Sequence, residues 1–412
     1  MEAEVAWSPR EQVCTNHVVR SSASSQPAPS ESPAGKVVPL MSPHEFEASP
    51  PLGPQGTHPP LPPALDSMSV VIDGIIFSLQ RHGGISVYFH QLLARLRRDG
   101  VRAGLTLDGP TLQRAPEAGG SVTVEQRPAR LLERYRRSRL GRSGSLFHSS
   151  YYRVPQQPGY PTVVTVHDFT YERCVRGPRR WVHSAQKYAA IRQAQAVICV
   201  SEATREDLLE LVGVRAGQQV HVVHNGVAHV FRPASQPDAE RPFVLFVGQR
   251  GGYKNFRLVA QAMNKLPDIE LSCVGGGALD PHELQGLPEA TRKRIRHLGF
   301  VDDNTLNRLY NQAICLVYPS SYEGFGIPVV EAMKAGCPVV CIQCKAVVEI
   351  GGNALSIAEP DPAALANAIA AVASSPARAT LAQAGLEVAK AYDWERTYRS
   401  TLQVYGSVAE LA

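Results

Sequence analysis

The sequence predicts an α/β protein in which parallel sheets form two separate halves. Short apolar runs rich in β-branched residues alternate along the chain with segments whose apolar residues recur at helical spacing. A polar, proline-bounded stretch at residues 232–242 separates two such series, and 412 residues suffice for two cores. We therefore expect a first domain at 68–235, a second at 236–394 and a C-terminal helix at 395–412.

The predicted strands lie in short apolar runs. Those of the first domain are 69–73, 105–107, 162–166, 196–200 and 220–223. Those of the second are 243–247, 269–274, 314–318, 339–342 and 354–357. A helix with regular apolar spacing is expected after the first strand and ends at Gly100. The helices that close the chain are predicted at 362–373, 378–391 and 394–408.

The N-terminal residues 1–67 differ in composition from the rest. They are rich in proline and serine and show no apolar period, so we expect a disordered extension or an over-extended start. A chain beginning at Met68 is expected to fold and act like the whole one. The first residues are too acidic for a signal peptide, and no apolar run approaches the roughly 18 residues that cross a bilayer. A cytoplasmic protein is therefore expected.

No metal, redox or cofactor site is predicted. The eight cysteines are scattered, several in predicted buried strands, as reduced core cysteines are. Cys341 and Cys344 form a lone CxxC without a second pair or a nearby histidine to complete a zinc site. The sequence also lacks Asp-x-Asp, a G-x-S-x-G elbow and a G-x-G-x-x-G fingerprint, so metal-clamp, serine hydrolase and nicotinamide chemistry are not expected.

The stretch YPSSYEGFGIPVVEAMKAGCPVV, residues 318–340, is predicted to form strand, loop, helix, turn and strand. Its proline is expected in the first helical position, with Glu331 in the first turn and Glu323 in the loop before it. Gly324 and Gly326 would let a ligand approach backbone N–H groups at a helix N-terminus, which favours an anion. Two carboxylates and a phosphate site would then converge. A crossover loop with one helix-capping glutamate is the alternative.

The Glu-x7-Glu interval, the interior GFGIP and the following EAMxxGxPVV resemble the signature of the retaining nucleotide-sugar glycosyltransferases of group 1 (family 4). Those enzymes have the GT-B architecture, two Rossmann-like domains facing a central cleft. The resemblance implies that Glu323 contacts hydroxyls of the donor sugar and Glu331 the ribose. Carboxylates suit this role because they accept hydrogen bonds from vicinal hydroxyls. The implied donor site also includes Gly324, Phe325 and Gly326.

A glycine pair, Gly83 and Gly84, opens the helix after the first strand. Such a pair could cradle a phosphate or simply make a tight turn. With Tyr88 it matches the GG-x-x-x-Y loop that lies at the cleft in the group 1 enzymes. The resemblance therefore implies that the two glycines belong to the donor site.

His167 ends a predicted buried strand, at the edge where α/β folds bind ligands. A lone histidine is more often structural. The matching histidine of the group 1 enzymes lies beside the donor sugar, so the resemblance implies a catalytic role for His167. We expect the neighbouring Asp168 to orient the loop.

Arg250 and Lys254 lie in a glycine-rich loop that opens the second domain, before a predicted helix at about Phe256. Positive charge at a helix N-terminus suits a diphosphate leaving group. The resemblance implies this role for both residues, although the group 1 spacing is usually GR-x-x-x-x-K. The variant RGGYKNF resembles enzymes of bacterial surface-polysaccharide assembly, several of which are mannosyltransferases.

The run from Arg127 to Arg142 carries seven arginines and one glutamate. A solvated surface helix is one interpretation. The other is a patch that faces anionic membrane or a lipid-diphosphate acceptor. Nucleic acid is not expected as a partner, because no aromatic platform accompanies the arginines.

We expect a metal-independent, retaining hexosyltransferase that moves a sugar to a lipid-linked oligosaccharide or polysaccharide. The expected donor is GDP-mannose, so the transferred sugar would be mannose. Cell-surface polysaccharide biosynthesis, of O-antigen or exopolysaccharide, is the expected setting, at the inner face of the cytoplasmic membrane. A UDP-hexose-dependent transferase, a phosphorylase or epimerase of the same layout, and a catalytically inactive membrane scaffold are the alternatives. Intact Glu323, Lys254 and Glu331 argue against the scaffold.

Overall fold

Two parallel sheets organise the part of the chain that is described. The computed structural model describes residues 68–81, 83–113, 118–140, 144, 146–235 and 239–410. One sheet belongs to the first half of the sequence and the other to the second, which confirms the predicted pair of α/β, Rossmann-like domains. The extension expected over residues 1–67 lies outside the described residues.

The first sheet has seven strands among the described residues, in the order β3-β2-β1-β4-β5-β6-β7. Every pairing between them is parallel. Strands β4, β5 and β6 are buried throughout, as expected where helices cover both faces of a sheet. The bounds are β1 Ser69–Asp73, β2 Arg102–Asp108, β3 Val122–Arg127, β4 Leu146–Ser149, β5 Thr162–Val166, β6 Ala196–Cys199 and β7 Gln219–Val222.

The second sheet has six strands in the described part of the chain, in the order β10-β9-β8-β11-β12-β13. These pairings are parallel too. The chain therefore reverses its strand order at the centre of the sheet, beside β8 and β11, where α/β folds bind ligands. The bounds are β8 Phe243–Val247, β9 Glu270–Val274, β10 Ile295–His297, β11 Leu316–Tyr318, β12 Val339–Ile342 and β13 Leu355–Ala358.

Helices connect the strands and cover the sheets. In the first half they are α1 Ile76–Leu79, α2 Gly84–Arg98, α3 Thr170–Cys174, α4 Pro178–Gln193 and α5 Glu202–Leu211. The others are α6 Phe256–Ala262, α7 Glu289–Arg292, α8 Asp303–Gln312, α9 Ile327–Lys334, α10 Lys345–Gly351, α11 Pro362–Ala373, α12 Ser375–Ala389 and α13 Trp394–Glu410. Among the described residues no helix is both long and apolar enough to span a bilayer.

Helix α13 packs on the first sheet, although it follows the second half in sequence. The Tyr88 hydroxyl on α2 lies 3.2 Å from Thr401 Oγ1. On β4, His148 Nδ1 lies 2.6 Å from the Tyr405 hydroxyl. Trp394 is buried in the same apolar cluster as residues of β1 and β2. The chain thus crosses from one half to the other twice.

One of the two interpretations of the run from Arg127 to Arg142, a solvated helix, is wrong for the described residues of that run. Arg127 is the last residue of β3, and the described residues after it form a loop with one 3₁₀ turn, Glu133–Tyr135. Leu132, at the start of that turn, has φ +57° in the left-handed region, which a right-handed helix does not tolerate. Arginine content therefore did not indicate a helix here.

Candidate active site

The loops that follow β5 and β11 meet where the two halves touch. A β-carbon on Gly324 would overlap the His167 carbonyl oxygen and would lie 2.8 Å from the β-carbon of Asp168. Glycine is therefore required at this position for the two loops to approach each other. The contact brings the stretch that was singled out from the sequence against the predicted catalytic histidine.

An ion pair lies in the same loop after β11. Lys254 Nζ is 2.5 Å from Glu323 Oε1 and 3.2 Å from the Tyr318 hydroxyl. Lys254 ends a 3₁₀ turn, Gly252–Lys254, close before the N-terminus of α6. The two side chains are only 13% and 11% exposed, and partial burial strengthens the attraction between their charges. Glu323, one member of this ion pair, directly precedes Gly324, the residue that contacts the first half.

His167 presents an uncharged imidazole at this junction. Burial lowers its pKa to about 4, although the Asp168 carboxylate opposes the shift. The ring is therefore neutral at pH 7. Its buried Nε2 atom forms no hydrogen bond with any described residue, and buried polar atoms without a partner are rare in folded proteins. Tyr88 packs edge-on against the ring, with 5.4 Å between centroids.

Helix α4 stabilises the loop that follows β5 and carries His167, which we call the histidine loop. Lys187 Nζ donates to the Asp168 carbonyl oxygen at 3.0 Å and to Glu172 Oε2 at 2.8 Å. Lys187 is fully buried, and its ammonium also lies over the Phe169 ring at 4.6 Å from the centroid. Asp168 itself accepts from the Thr170 N–H at 3.0 Å, in keeping with its predicted orienting role. Sequence reasoning missed Lys187, because nothing in the sequence shows that this lysine lies on the buried face of α4.

Tyr322 links the two halves beside Glu323. Its hydroxyl accepts from the Phe169 N–H at 2.8 Å and donates to Asp207 Oδ2 on α5 at 2.6 Å. The loop after β11 is therefore tied both to the histidine loop and to a helix of the first half. No pattern in the sequence indicated this tyrosine.

Helix α5 is capped from both halves. Ser201 Oγ and Thr204 Oγ1 donate to the Gly324 carbonyl oxygen at 2.6 and 3.0 Å. The Glu349 carboxylate, from the second half, accepts from the first two N–H groups of α5 at 2.8 and 2.9 Å. It also lies 2.9 Å from His224 Nε2. Burial alone would raise the pKa of Glu349, but these hydrogen bonds lower it, so the cap stays ionised.

The glycine pair reaches the second half. Gly83 caps the N-terminus of α2 in an extended conformation, and a β-carbon on Gly84 would lie 3.1 Å from Ile327 Cδ1 at the start of α9. Gly326 caps α9 with φ +107°, a conformation that favours glycine. Phe325 is buried, with its ring 5.8 Å from that of Tyr392. Gly84 and Gly326 thus flank the start of α9, whereas the Phe325 ring belongs to the core.

Glu331 lies apart from the ion pair. Helix α9 begins at Ile327, so Pro328 occupies the second position and Glu331 the fifth, which opens the second turn, one residue later than predicted. The expected placement in the first turn was wrong because the helix extends N-terminally of its proline. Glu331 Oε2 accepts from the Tyr310 hydroxyl at 3.0 Å, and burial raises the pKa of Glu331 to about 7. The two glutamates therefore occupy different environments.

The Arg250 side chain forms hydrogen bonds with the loop after β9. Its guanidinium donates to the carbonyl oxygens of residues 275–278 at 2.7–3.2 Å, and its Nε lies 3.1 Å from both carboxylate oxygens of Glu283. Only 2% of the side chain is exposed. This conformation does not bring Arg250 to the Lys254–Glu323 pair, and its contact with a phosphate stays a prediction.

The cysteines lie where core residues are expected. Among the described residues they are free thiols, and all but Cys174 are buried. Burial raises the pKa of Cys341 to about 12 and that of Cys344 to about 11, so both are protonated at neutral pH. No group of three or more His, Cys, Asp or Glu side chains within the described ranges is arranged to hold a metal ion.

Two family profiles match adjoining parts of the chain. "Glycosyltransferase Family 4" matches residues 82–230, and "Glycosyl transferases group 1" matches residues 229–387. The matches meet between β7 and β8, and the first begins after β1, so they cover strands β2–β7 and β8–β13. Together they span both loops that carry the ion pair and the histidine.

Individual proteins agree with these matches. The O-antigen chain mannosyltransferase B of Escherichia coli is 29% identical over 265 residues, covering 59% of this chain and 69% of that protein. Sucrose-phosphate synthase from Thermosynechococcus elongatus superimposes with a TM-score of 0.69 at 21% identity, over 84% of this chain and 100% of the other. Anabaena HepE, solved with UDP and glucose, gives a TM-score of 0.61 at 18% identity over 82% and 100%. The structural likenesses show the GT-B fold, and the two profile matches show that the chain belongs to the group 1 (family 4) glycosyltransferases.

Proposed function

We propose that this protein is a retaining hexosyltransferase that uses a nucleotide diphosphate sugar. The observation that carries the proposal is the Lys254–Glu323 pair, held against the His167 loop by Gly324. The ammonium would neutralise the leaving diphosphate, and the carboxylate would accept hydrogen bonds from donor hydroxyls. The unpartnered Nε2 of His167 would bind another oxygen of the sugar.

In the proposed reaction the bond between the anomeric carbon and the phosphate oxygen breaks on the face where the acceptor oxygen bonds. The electron pair of the broken bond stays on the phosphate, which takes the proton of the acceptor hydroxyl. Lys254 stabilises the negative charge as it develops, and such preorganised stabilisation is usually the largest single catalytic effect. Glu331 would bind the ribose from its place on α9, and Gly83, Gly84, Gly324 and Gly326 would admit the donor.

Mannose from GDP-mannose is the donor we propose, because a relative that aligns with more than half of the chain is an O-antigen mannosyltransferase. A UDP-hexose is the second candidate, because HepE was solved with UDP and glucose. A lipid-linked glycan in cell-surface polysaccharide synthesis is the proposed acceptor. The proposed location is peripheral, on the inner face of the cytoplasmic membrane.

A ligand screen tests the donor. Binding to the native state raises the melting temperature with ligand concentration, so GDP and GDP-mannose should raise it at lower concentrations than UDP, ADP and their sugars. Incubation with the best donor and a saccharide acceptor should then give a product whose anomeric configuration, determined by NMR, matches that of the donor. Inversion would exclude the retaining mechanism. Consumption of the donor with phosphate alone, or its epimerisation without an acceptor, would favour the phosphorylase or epimerase.

Metal independence is tested with a chelator. Because Lys254 supplies the positive charge that a divalent cation would otherwise supply, transfer should continue at an unchanged rate in excess EDTA. Loss of transfer in EDTA, with recovery on adding magnesium or manganese, would contradict this part of the proposal.

A further inference from the structure

The outer face of α4 is apolar. Trp181 is 73% exposed and Val182 is 51% exposed. Ala185 and Ala189 follow Val182 at helical spacing and are exposed as well. The polar residues Ser184 and Lys187 lie instead on the buried face. Single exposed apolar residues are ordinary in soluble proteins, whereas an apolar stripe along the outer face of a helix is typical of an interaction surface.

A turn in the arginine-rich segment adds to this surface. Leu131 is 81%, Leu132 65% and Tyr135 49% exposed. Leu132 has φ +57°, an unfavourable conformation for a residue with a side chain. The turn therefore exposes two leucines, and one of them, Leu132, has a backbone conformation that a simple solvated loop does not require.

The turn and the helix form one surface. Gln186 Nε2 on α4 donates to the Arg134 carbonyl oxygen in the turn at 2.7 Å. Val182 lies one helical turn before Gln186. The Arg134 guanidinium stacks over Tyr135 at 5.4 Å from the ring centroid and over Tyr151 at 5.0 Å. We call this combined surface, residues 131–137 with the outer face of α4, the α4 face.

The charge around the α4 face is positive. Residues 175–193 contain no Asp or Glu, and the one acid in residues 126–140 is Glu133. Glu133 is buried and paired with Arg130 at 2.6 Å and with Arg153 at 3.1 Å. Arg139 likewise turns inward, 3.2 Å from Asp108. The arginines that the segment leaves exposed are Arg136 and Arg137, and Arg176 and Arg179 accompany them at the start of α4.

We propose that the α4 face docks onto the surface of an anionic lipid bilayer. Tryptophan, tyrosine and leucine among arginines are the composition of surfaces that lie in the headgroup region, where rings and aliphatic chains enter and guanidinium groups meet lipid phosphates. The inner side of the same helix holds the His167 loop through Lys187. Docking would therefore place the cleft one helix away from a lipid-linked acceptor, and this last step rests on the proposed function.

Vesicle sedimentation tests the docking. The intact chain should bind vesicles that contain phosphatidylglycerol and should bind phosphatidylcholine vesicles at least tenfold more weakly, with binding reduced by salt. Leu131→Ser with Trp181→Ser should weaken binding tenfold or more, and so should Arg136→Glu, Arg137→Glu and Arg179→Glu combined. The matched controls are Phe300→Ser and the triple charge variant Lys265→Glu, Lys293→Glu and Arg308→Glu, whose positions are exposed in the second half.

The melting temperature and the affinity for free nucleoside diphosphate establish that each variant is folded. Controls that lose vesicle binding as much as the α4 variants would overturn the proposal, and so would α4 variants that bind vesicles like the unaltered chain. Absence of vesicle binding by the unaltered chain would also overturn it, in favour of a protein partner. Because sedimentation needs no turnover, vesicle binding without any sugar transfer would leave the docking intact and reject the proposed function instead.

Discussion

The two glutamates of residues 318–340, Glu323 and Glu331, differ in their place in the fold and in their hydrogen-bonding partners. Glu323 lies in a loop, pairs with Lys254 and neighbours the contact between the halves. Glu331 lies in the second turn of α9, has the Tyr310 hydroxyl as its partner, and has a pKa raised to about 7 by burial. The first is therefore paired with a cation, whereas the second is poised between its two protonation states at neutral pH.

This difference indicates that the two carboxylates would interact with a ligand in different ways. A carboxylate with a cation in place is ready for a transition state in which charge develops. The half-buried Glu331 carboxylate accepts one hydrogen bond from a neutral donor, the Tyr310 hydroxyl, and ligand hydroxyls would bind its other lone pairs. Variants of the two residues should consequently fail in different ways.

The largest effect should come from breaking the ion pair. Lys254→Ala and Glu323→Ala should each lower kcat by about 100-fold or more, because each removes a group aimed at developing charge. Lys254→Ala should also weaken binding of the free nucleoside diphosphate. Steady-state kinetics with varied donor and calorimetry with diphosphate measure the two effects. Lys265→Ala, on the exterior, is the matched control, and retention of full kcat by either site variant would place the reaction centre elsewhere.

Glu331→Ala should act chiefly on donor binding. Loss of a charged hydrogen-bond partner distant from the reacting bond should raise the donor KM by an amount equivalent to roughly 1–3 kcal/mol, with kcat nearly unchanged. The same kinetic assay measures it. If Glu331→Ala and Glu323→Ala gave the same pattern of kcat and KM, the division of roles between the two carboxylates would be incorrect.

The protonation of Glu331 should also appear in stability. Its pKa is raised from 4.5 to about 7 in the folded protein, so folding favours the neutral carboxyl. Its contribution is therefore full below pH 4.5 and is lost as the pH rises through 7. Glu331→Gln, which stays neutral, should gain on the order of 1–3 kcal/mol relative to the unaltered chain between pH 4.5 and pH 8. Urea unfolding at both pH values measures the gain, and the exposed Glu289→Gln should show none.

The smallest effect on kcat should come from removing the Tyr322 hydroxyl, which links the loop of Glu323 to the first half. Tyr322→Phe removes the hydrogen bonds to Asp207 and to the Phe169 N–H, and should lower kcat by an amount equivalent to about 1 kcal/mol by loosening the histidine loop. Tyr310→Phe, which alters the partner of Glu331, should change donor KM instead. Equal effects of the two variants on kcat and KM would mean that Tyr322 has no positioning role.

Much of the fold followed from sequence periodicity. The strands at 69–73, 162–166, 243–247 and 339–342 have the predicted bounds, because each is an apolar run buried on both faces. Strands β3, β4 and β10 were missed. Strand β10 has three residues, IRH, too few to show a period, and β3, VTVEQR, lies at a sheet edge and is largely polar.

For the candidate site, local motifs indicated Lys254, Glu323 and His167, and the structure brings their loops together. Contacts between distant segments were not predictable. Glu349 caps a helix about 147 residues earlier in sequence, and the tie between Tyr322 and the histidine loop spans 153 residues. No spacing rule links such residues. Arg250 shows the converse: its sequence context matches a phosphate-binding loop, but the carbonyl oxygens around it depend on how the loop after β9 folds back.

The return of α13 to the first sheet affects how members of this family could exchange their donor specificity by recombination. A single crossover near residue 235 would join one parent's first sheet to the other parent's final helix, so Tyr88 and His148 would face foreign partners at the positions of Thr401 and Tyr405. An exchange with two crossovers, the second just before Trp394, keeps the first core within one parent. An intact second half therefore needs two junctions in a chimera, and chimeras built with a single junction should be less soluble.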